Sequence, residues 1–221
     1  MGTKFDHFSI LNSDIDSTVE FLKLLPKRPN ALEIMKRLLP ANELFNKPIN
    51  EIKKPEHQSD EEWQKFQKDW TKATNYMNSQ KRTYYVGQNQ NWITVFSEEF
   101  GFMGNSDLVL EASKTIDNPI LTVSLFDEDV FTLSLVKRGN VITRHVSGSV
   151  APYDLTKSLG DINSFADIFH ITPQKDKLEQ ILKNDDNNLD KKITELENLF
   201  NMKLWINRSL PRELKWKKVT I

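Results

Sequence analysis

The sequence predicts an α+β protein built on a five-stranded antiparallel sheet, with extra helices at its N- and C-terminal ends. Three observations support this prediction. Residues 119–146 alternate apolar and polar side chains in three segments joined by short polar turns, which is typical of three consecutive strands. Residues 82–96 show the same period of two on either side of a polar loop. Before and after these segments, apolar residues recur at spacings of three and four, as amphipathic helices require.

The first 80 residues are predicted to form a helical N-terminal part (1–80) that packs on the core, and residues 81–221 to form the α+β domain. The two parts are expected to make one compact unit. Apolar residues at helical spacing over 15–25 predict a first helix. Asn30 and Glu33 have the spacing of a capping box and predict a second helix, which a proline ends.

Ser59 and Glu62 repeat the capping-box spacing and predict a longer helix over residues 60–79. One face of this helix carries an apolar stripe that consists of Trp63, Phe66, Trp70, Ala73 and Met77. Such a stripe is more typical of a core face than of a surface that binds a partner.

Within the α+β domain, two strands are predicted at 82–86 and 92–96, separated by the loop 87–91. A helix capped by Asn105 or Ser106 follows them. The two strands are therefore expected to pair as a hairpin with a long loop.

The three-stranded segment 119–146 divides its side chains between two faces of the sheet. The apolar face consists of Leu121, Val123, Leu125, Phe131, Leu133 and Leu135. The opposite, mildly polar face consists of Thr122, Ser124, Thr132 and Ser134. We expect the apolar face to pack on the core and the polar face to be exposed or only lightly covered. The polar face is therefore one candidate surface for binding a partner.

The last third of the chain returns to helical periodicity. One helix is predicted around Phe165, and Thr172 with Pro173 predicts the start of the next, with a threonine cap and a proline at the first helical position. A final amphipathic helix includes residues 193–200. Residues 82–200 thus run strand, strand, helix, three strands and then helices, which favours an antiparallel sheet with helices packed on it.

This order of elements is similar to that of the longin, roadblock and profilin-like domains. The resemblance covers about half of the chain and rests on element order alone, without a shared residue motif. Those domains serve mostly as protein-binding scaffolds. The resemblance therefore implies a binding role, and it assigns that role to no individual residue.

Composition excludes several classes of site. The chain has 221 residues, a formal net charge of −1 and no cysteine, so disulfides, thiolate metal sites and cysteine nucleophiles are excluded. The near-neutral charge provides no bulk field to recruit nucleic acid or an anionic membrane. No apolar run is long enough to cross a bilayer, so the predicted location is the cytoplasm. Abundant lysine and asparagine suit an AT-rich genome and indicate a bacterial source.

The acidic turn Asp127, Glu128 and Asp129 is a candidate for chemistry. Carboxylates at short spacing can converge on a divalent cation, so one alternative function is a metal-dependent hydrolase or nuclease that uses Asp127 and Asp129 with Glu98 and His145. The EF-hand pattern and glycine-rich phosphate loops are absent from the sequence. A solvated hairpin turn explains the acidic run without catalysis. We therefore predict no catalytic residue and no cofactor, and Asp127 and Asp129 stay the candidates for a metal.

The C-terminal tail, residues 203–221, interleaves aromatic and basic side chains. Its candidate partner-binding residues are Trp205, Arg208, Arg212 and Trp216. Tryptophan beside arginine and lysine occurs in proteins that bind single-stranded nucleic acid, which makes nucleic-acid binding a second alternative. The favoured interpretation is a tail docked by its tryptophans, with its lysines extending to water.

The sequence therefore predicts a non-catalytic protein that acts by binding another protein, in a process that the sequence does not identify. One version is an antitoxin or immunity-type protein that neutralises a toxin, and another is a scaffold protein. The sequence predicts neither the partner nor the oligomeric state.

Overall fold

The computed structural model describes residues 5–25, 54, 56, 58–79, 81–98, 100, 104–184, 188–207 and 209–221. Within these ranges, the side chains of residues 70, 73–79 and 104–107 are not described. The helix predicted after Asn30 and the residue Arg208 thus lie outside the described residues. The side chains of Trp70, Ala73 and Met77, which belong to the predicted apolar stripe, are not described either. The chain divides into two compact units, one made of residues 1–25 and 82–221 and the other of residues 26–81.

An antiparallel sheet forms the first unit, and it has seven strands instead of the predicted five. The strands are β1 (Phe5–Leu11), β2 (Thr83–Asn89), β3 (Trp92–Phe96), β4 (Ile120–Phe126), β5 (Val130–Lys137), β6 (Asn140–Gly148) and β7 (Trp216–Thr220). Their order across the sheet is β6-β5-β4-β1-β3-β2-β7. All five predicted strands are present, and the α+β class with an antiparallel sheet is confirmed.

The two additional strands come from segments for which the sequence does not predict a strand. Strand β1 lies at the centre of the sheet, between β3 and β4, although it belongs to the part predicted as helical. All seven of its residues are buried, so both of its faces are covered and its sequence does not alternate. Strand β7 lies at one end of the sheet and comes from the tail. Because β1 separates the first predicted hairpin from the last three strands, the longin or profilin-like outline is not confirmed.

Three hairpins have tight turns. The predicted three-stranded segment is confirmed, with pairs such as Val123 with Leu133 and Leu133 with His145. The prediction of a long loop after residue 86 is wrong, because β2 continues to Asn89 and pairs with β3 across a two-residue turn. Gln90 takes the left-handed conformation that this turn needs.

Six helices are described. They are α1 (Ile15–Leu24), α2 (Asp60–Ser79), α3 (Gly104–Ala112), α4 (Ile162–Ile168), α5 (Lys175–Lys183) and α6 (Leu189–Phe200). Short 3₁₀ turns occupy residues 113–115, 151–153 and 172–174. Thr172 and Pro173 therefore begin a 3₁₀ turn, and the α-helix starts at Lys175, two residues after the predicted first helical position.

Helix α2 belongs to the second unit and begins at the predicted capping box. The hydroxyl of Ser59 accepts a hydrogen bond of 3.2 Å from the backbone N–H of Glu62, and the Glu62 carboxylate accepts one of 2.9 Å from the N–H of Ser59. Trp63 is buried and stacks on Phe66 with ring centroids 5.0 Å apart. These hydrogen bonds satisfy two of the backbone donors that a helix N-terminus leaves open.

Hydrophobic residues pack on both faces of the sheet in the first unit. On one face, the predicted apolar residues of β4 and β5 join buried residues of α4, α5 and α6, among them Phe165, Leu178 and Ile193. On the other face, Phe8 and Ile10 of β1 join residues of α1 and α3. A central strand between two helical layers is buried on both faces, so the polar residues of β1, Asp6, His7 and Ser9, make hydrogen bonds inside the protein.

Candidate protein-binding edge of the sheet

The polar face of β4 and β5 is buried, so the expectation that it is exposed or lightly covered is wrong. Thr122, Ser124, Thr132 and Ser134 are each between 1% and 3% exposed. The hydroxyl of Ser124 donates a hydrogen bond of 2.7 Å to the carboxylate of buried Asp6, and Nε of Arg144 donates one of 3.1 Å to the Ser134 hydroxyl. These hydroxyls make internal hydrogen bonds, as buried polar groups must. They do not form an open surface for a partner.

The acidic turn has the geometry of a tight hairpin. Asp127 and Glu128 are both left-handed, with φ of 52° and 62°, and the N–H of Asp129 donates a bond of 2.9 Å to the carbonyl of Phe126. This is the arrangement of a type I′ turn. The hydroxyl of Tyr153 donates to the Asp129 carboxylate at 3.3 Å. Desolvation of that hydroxyl, followed by the charge of Asp129, raises the pKa of Tyr153.

The described residues do not support the metal-dependent alternative. No group of three or more histidine, aspartate or glutamate side chains among them is placed to hold a metal ion. His145 is buried, with Nδ1 donating to the carbonyl of Leu159 at 3.3 Å and its ring packed against Phe131. Asp127, Asp129 and Glu98 are not gathered around it in a metal site.

The candidate residues of the tail separate into different places. Trp205 is half-buried and lies against Phe5, with ring centroids 5.3 Å apart. Trp216 packs in a different hydrophobic cluster, with Phe96 and Leu214. Arg212 is exposed, and Arg208 lies outside the described residues. Trp205 and Trp216 therefore do not share one surface, and the part of the tail that pairs with the sheet is the strand that begins at Trp216.

Trp216 fixes strand β7 to the sheet. It pairs directly with Gly87 of β2, and a Cβ atom added at Gly87 would lie 2.9 Å from Cε3 of the indole. The indole ring therefore lies directly over the glycine, an arrangement that covers the gap a glycine leaves in a strand. The indole Nε1–H also donates a bond of 3.0 Å to the carbonyl of Pro211.

The chain between α6 and β7 is held by side chains of other elements. Asn89 donates from Nδ2 to the Lys203 carbonyl at 2.8 Å and accepts from the Lys203 N–H at 3.0 Å. His7 donates to the carbonyl of Leu204 at 2.7 Å. Glu197 accepts from two consecutive backbone N–H groups of this segment, each at 2.8 Å. These roles could not be predicted from the sequence, because pairing of a side chain with a distant backbone leaves no local pattern.

The two edges of the sheet differ in how they are covered. At β6, Val146 and Ser158 exchange backbone hydrogen bonds of 2.7 and 3.0 Å, so the segment after the strand covers part of its edge. The pairing of β5 and β6 shifts register between Leu135 and Val136, which leaves Ile142 as an extra residue in a bulge. Ile142 and its neighbour Val141 are 47% and 40% exposed. A bulged and partly covered edge is poorly suited to pair with another strand.

The edge at β7 is regular and uncovered by any other described strand. Arg82 and Ile221 exchange two backbone hydrogen bonds, at 2.9 and 3.0 Å. In an antiparallel pair such bonds recur at every second residue, so Val219 and Lys217 also direct their backbone groups towards β2. The backbone N–H and C=O groups of Trp216, Lys218 and Thr220 therefore face away from the sheet. This row of outward donors and acceptors is the candidate binding edge.

Lysine side chains flank this edge on both faces. Lys217 and Lys218 are exposed, and Nζ of Lys217 lies 3.7 Å from the carboxylate of Asp16. Lys217 shares its face with Val219, which packs on the core, and Lys218 shares its face with Trp216. The tail is thus basic as predicted, but its lysines belong to a strand edge.

Comparison of the chain with protein-family models, with curated proteins and with solved structures finds no similar protein. No helix in the described part of the chain is long and apolar enough to cross a membrane. Any function proposed for the chain therefore depends on the geometry of its own residues.

Proposed function

We propose that this chain is a non-catalytic protein that binds another protein along the edge of β7 that faces away from β2. The observation that carries the proposal is the row of backbone donors and acceptors at Trp216, Lys218 and Thr220, which face away from β2. An exposed edge of this kind accepts an added strand from a partner, with main-chain hydrogen bonds that supply affinity. Trp216 holds the edge in place before binding, so little conformational freedom is lost when the partner docks.

A proline at position 218 provides the sharpest test of this edge. The N–H of Lys218 faces away from β2, so Lys218→Pro removes an outward donor and adds a ring at the edge without breaking a bond to β2. Ile142→Lys is the matched control, because it changes an exposed residue on the opposite edge strand. Circular dichroism and thermal unfolding should show that both variants remain folded.

The experiment uses wild type, Lys218→Pro and Ile142→Lys as parallel baits in lysate of the source organism, with quantitative mass spectrometry. We expect a protein that wild type and Ile142→Lys retain and that Lys218→Pro loses. That protein is then purified and its affinity for the three chains is measured by calorimetry. Equal affinity for folded Lys218→Pro and for wild type would show that the β7 edge is not the binding surface.

An immunity-type role is a specific version of this function. It requires that the captured partner be toxic when it is expressed without this chain. Co-expression of wild type should then restore growth, whereas co-expression of Lys218→Pro should not. If the partner is not toxic, the immunity role is wrong and the scaffold role is favoured.

A further inference from the structure

We infer that the β7 edge takes an acidic, extended segment of its partner as an eighth strand of the sheet. This inference rests on the proposed function and adds the chemical class of the segment. Four cationic side chains, Arg212, Lys215, Lys217 and Lys218, are exposed within seven residues of chain that end in β7. Glu213 is the one acidic residue of that stretch. Positive charges at the edge therefore outnumber negative ones even when Asp16 beside Lys217 is included, although the whole chain has a net charge of −1.

The lysines are placed where an added strand would meet them. Successive residues of a strand point to opposite faces, so Lys217 and Lys218 flank the edge above and below the sheet. Side chains that lie opposite each other on paired strands have Cβ atoms about 4.5–5.5 Å apart. An acidic residue at either face of an added strand would thus lie within reach of a lysine ammonium group.

Lysine on an edge strand ordinarily prevents pairing with other chains. Here the same lysines repel a basic strand. They also disfavour a neutral strand, because pairing with it would remove water from the lysine ammonium groups without supplying a counter-charge. An acidic strand supplies the missing counter-charge, so the edge discriminates by charge as well as by backbone pairing. The contact of Lys217 with Asp16 is loose, at 3.7 Å to an exposed carboxylate, and a partner carboxylate can replace it.

The length of the edge sets the size of the segment. Strand β7 has five residues, and three of them direct backbone groups outward. A partner segment of about five residues therefore matches the strand, with acidic side chains on both faces. Positions between the acidic residues can be threonine or valine, which suit an extended conformation.

The test uses a fluorescein-labelled heptapeptide of sequence Thr-Glu-Glu-Thr-Glu-Glu-Thr, which carries glutamate on both faces of an added strand. Its binding is measured by fluorescence anisotropy at low salt. A matched peptide replaces glutamate by glutamine. Two further peptides carry N-methyl groups on alternate residues, one peptide at the odd positions and the other at the even positions. Only one of these two frames removes the backbone N–H donors that would face β7. The full-length chain is used as wild type, as Lys217→Glu/Lys218→Glu, and as Lys177→Glu/Lys191→Glu, a control with the same charge change on exposed lysines of α5 and α6.

We expect the glutamine peptide and the edge variant to bind about tenfold more weakly or worse, and the control variant to bind within about twofold of wild type at moderate salt. One N-methyl frame should lose binding and the other should keep it. Equal binding of both N-methyl peptides, or equally tight binding of a single-stranded oligonucleotide, would show attraction of any polyanion and overturn the inference. Self-association that Lys218→Pro abolishes would assign the edge to a second copy of the chain and also overturn it.

The outcomes also separate this inference from the proposed function. If the acidic peptide fails to bind while Lys218→Pro still loses a captured partner, the edge binds a protein but the acidic class is wrong. If Lys218→Pro loses no partner and the peptide fails as well, both are wrong.

Discussion

The imidazole of His7, at the centre of the sheet, donates a hydrogen bond of 2.7 Å from Nε2 to the backbone carbonyl of Leu204. The two residues are 197 positions apart, and the bond ties β1 to the segment that leads to β7. His7 is fully buried, and its Nδ1 has no hydrogen-bond partner among the described residues. Burial lowers the pKa of His7 to about 4, although the bond to Leu204 acts in the opposite direction. The neutral imidazole is therefore the form that the folded protein holds.

We predict that His7 makes the protein less stable as the pH falls from 6.5 to about 4. The unfolded chain takes up a proton near pH 6.5 and the folded chain only near pH 4, so the unfolded state binds more protons between these values. The contribution is complete above pH 6.5 and is lost as the pH falls to about 4. The difference corresponds to roughly 3 kcal/mol at most. His7→Gln keeps a donor for the Leu204 carbonyl and removes the titration.

Urea unfolding at a series of pH values measures this effect. His7→Gln should be less stable than wild type at neutral pH, but its free energy of unfolding should fall less as the pH is lowered. His170→Asn is the control, since His170 is exposed and left-handed and asparagine tolerates that conformation. A pH dependence of His7→Gln identical to that of wild type would contradict the assignment.

We predict that Glu128→Gly stabilises the protein by about 1 kcal/mol. Glu128 has φ of 62° at the second central position of the type I′ turn, where glycine relieves the steric cost of the left-handed conformation. Glu128→Ala removes the same charge but keeps the Cβ atom, so it should give no such gain. Thermal unfolding of the two variants separates backbone strain from charge. A gain of equal size for alanine would attribute the effect to the carboxylate.

We predict that the cost of a side chain at Gly87 depends on Trp216. A Cβ at position 87 meets the indole at 2.9 Å, so Gly87→Ala should destabilise the wild-type chain by displacing the ring. With Trp216→Ala already present, Gly87→Ala should be neutral or stabilising, because alanine is more favourable than glycine in an open strand. Trp216→Ala alone should cost about 2 kcal/mol. It should also weaken binding at the β7 edge.

A double-mutant cycle measured by urea unfolding tests this coupling, and a coupling energy near zero would show that the two residues do not act together. Trp216→Phe provides a further control. It keeps a ring over Gly87 and loses only the donor to the Pro211 carbonyl, so it should cost about 1 kcal/mol.

Features that depend on neighbouring residues could be predicted from the sequence. The capping box of Ser59 and Glu62 joins groups three residues apart, and it forms as expected. The strands β4, β5 and β6 alternate and are joined by short turns, so their pairing follows from local chain geometry. The same alternation correctly predicts that the apolar face of β4 and β5 packs on the core.

The sequence by itself thus determined the α+β class, the three consecutive strands and the basic character of the tail. Only the tertiary structure decided that β1 lies between β3 and β4, that the threonine and serine face is buried, and that the lysines of the tail border an edge of the sheet with which no other described strand pairs. Strand order depends on which distant segments pair, and burial of a polar face depends on which elements cover it. Neither leaves a periodic signal, because a strand covered on both faces, such as β1, has no reason to alternate.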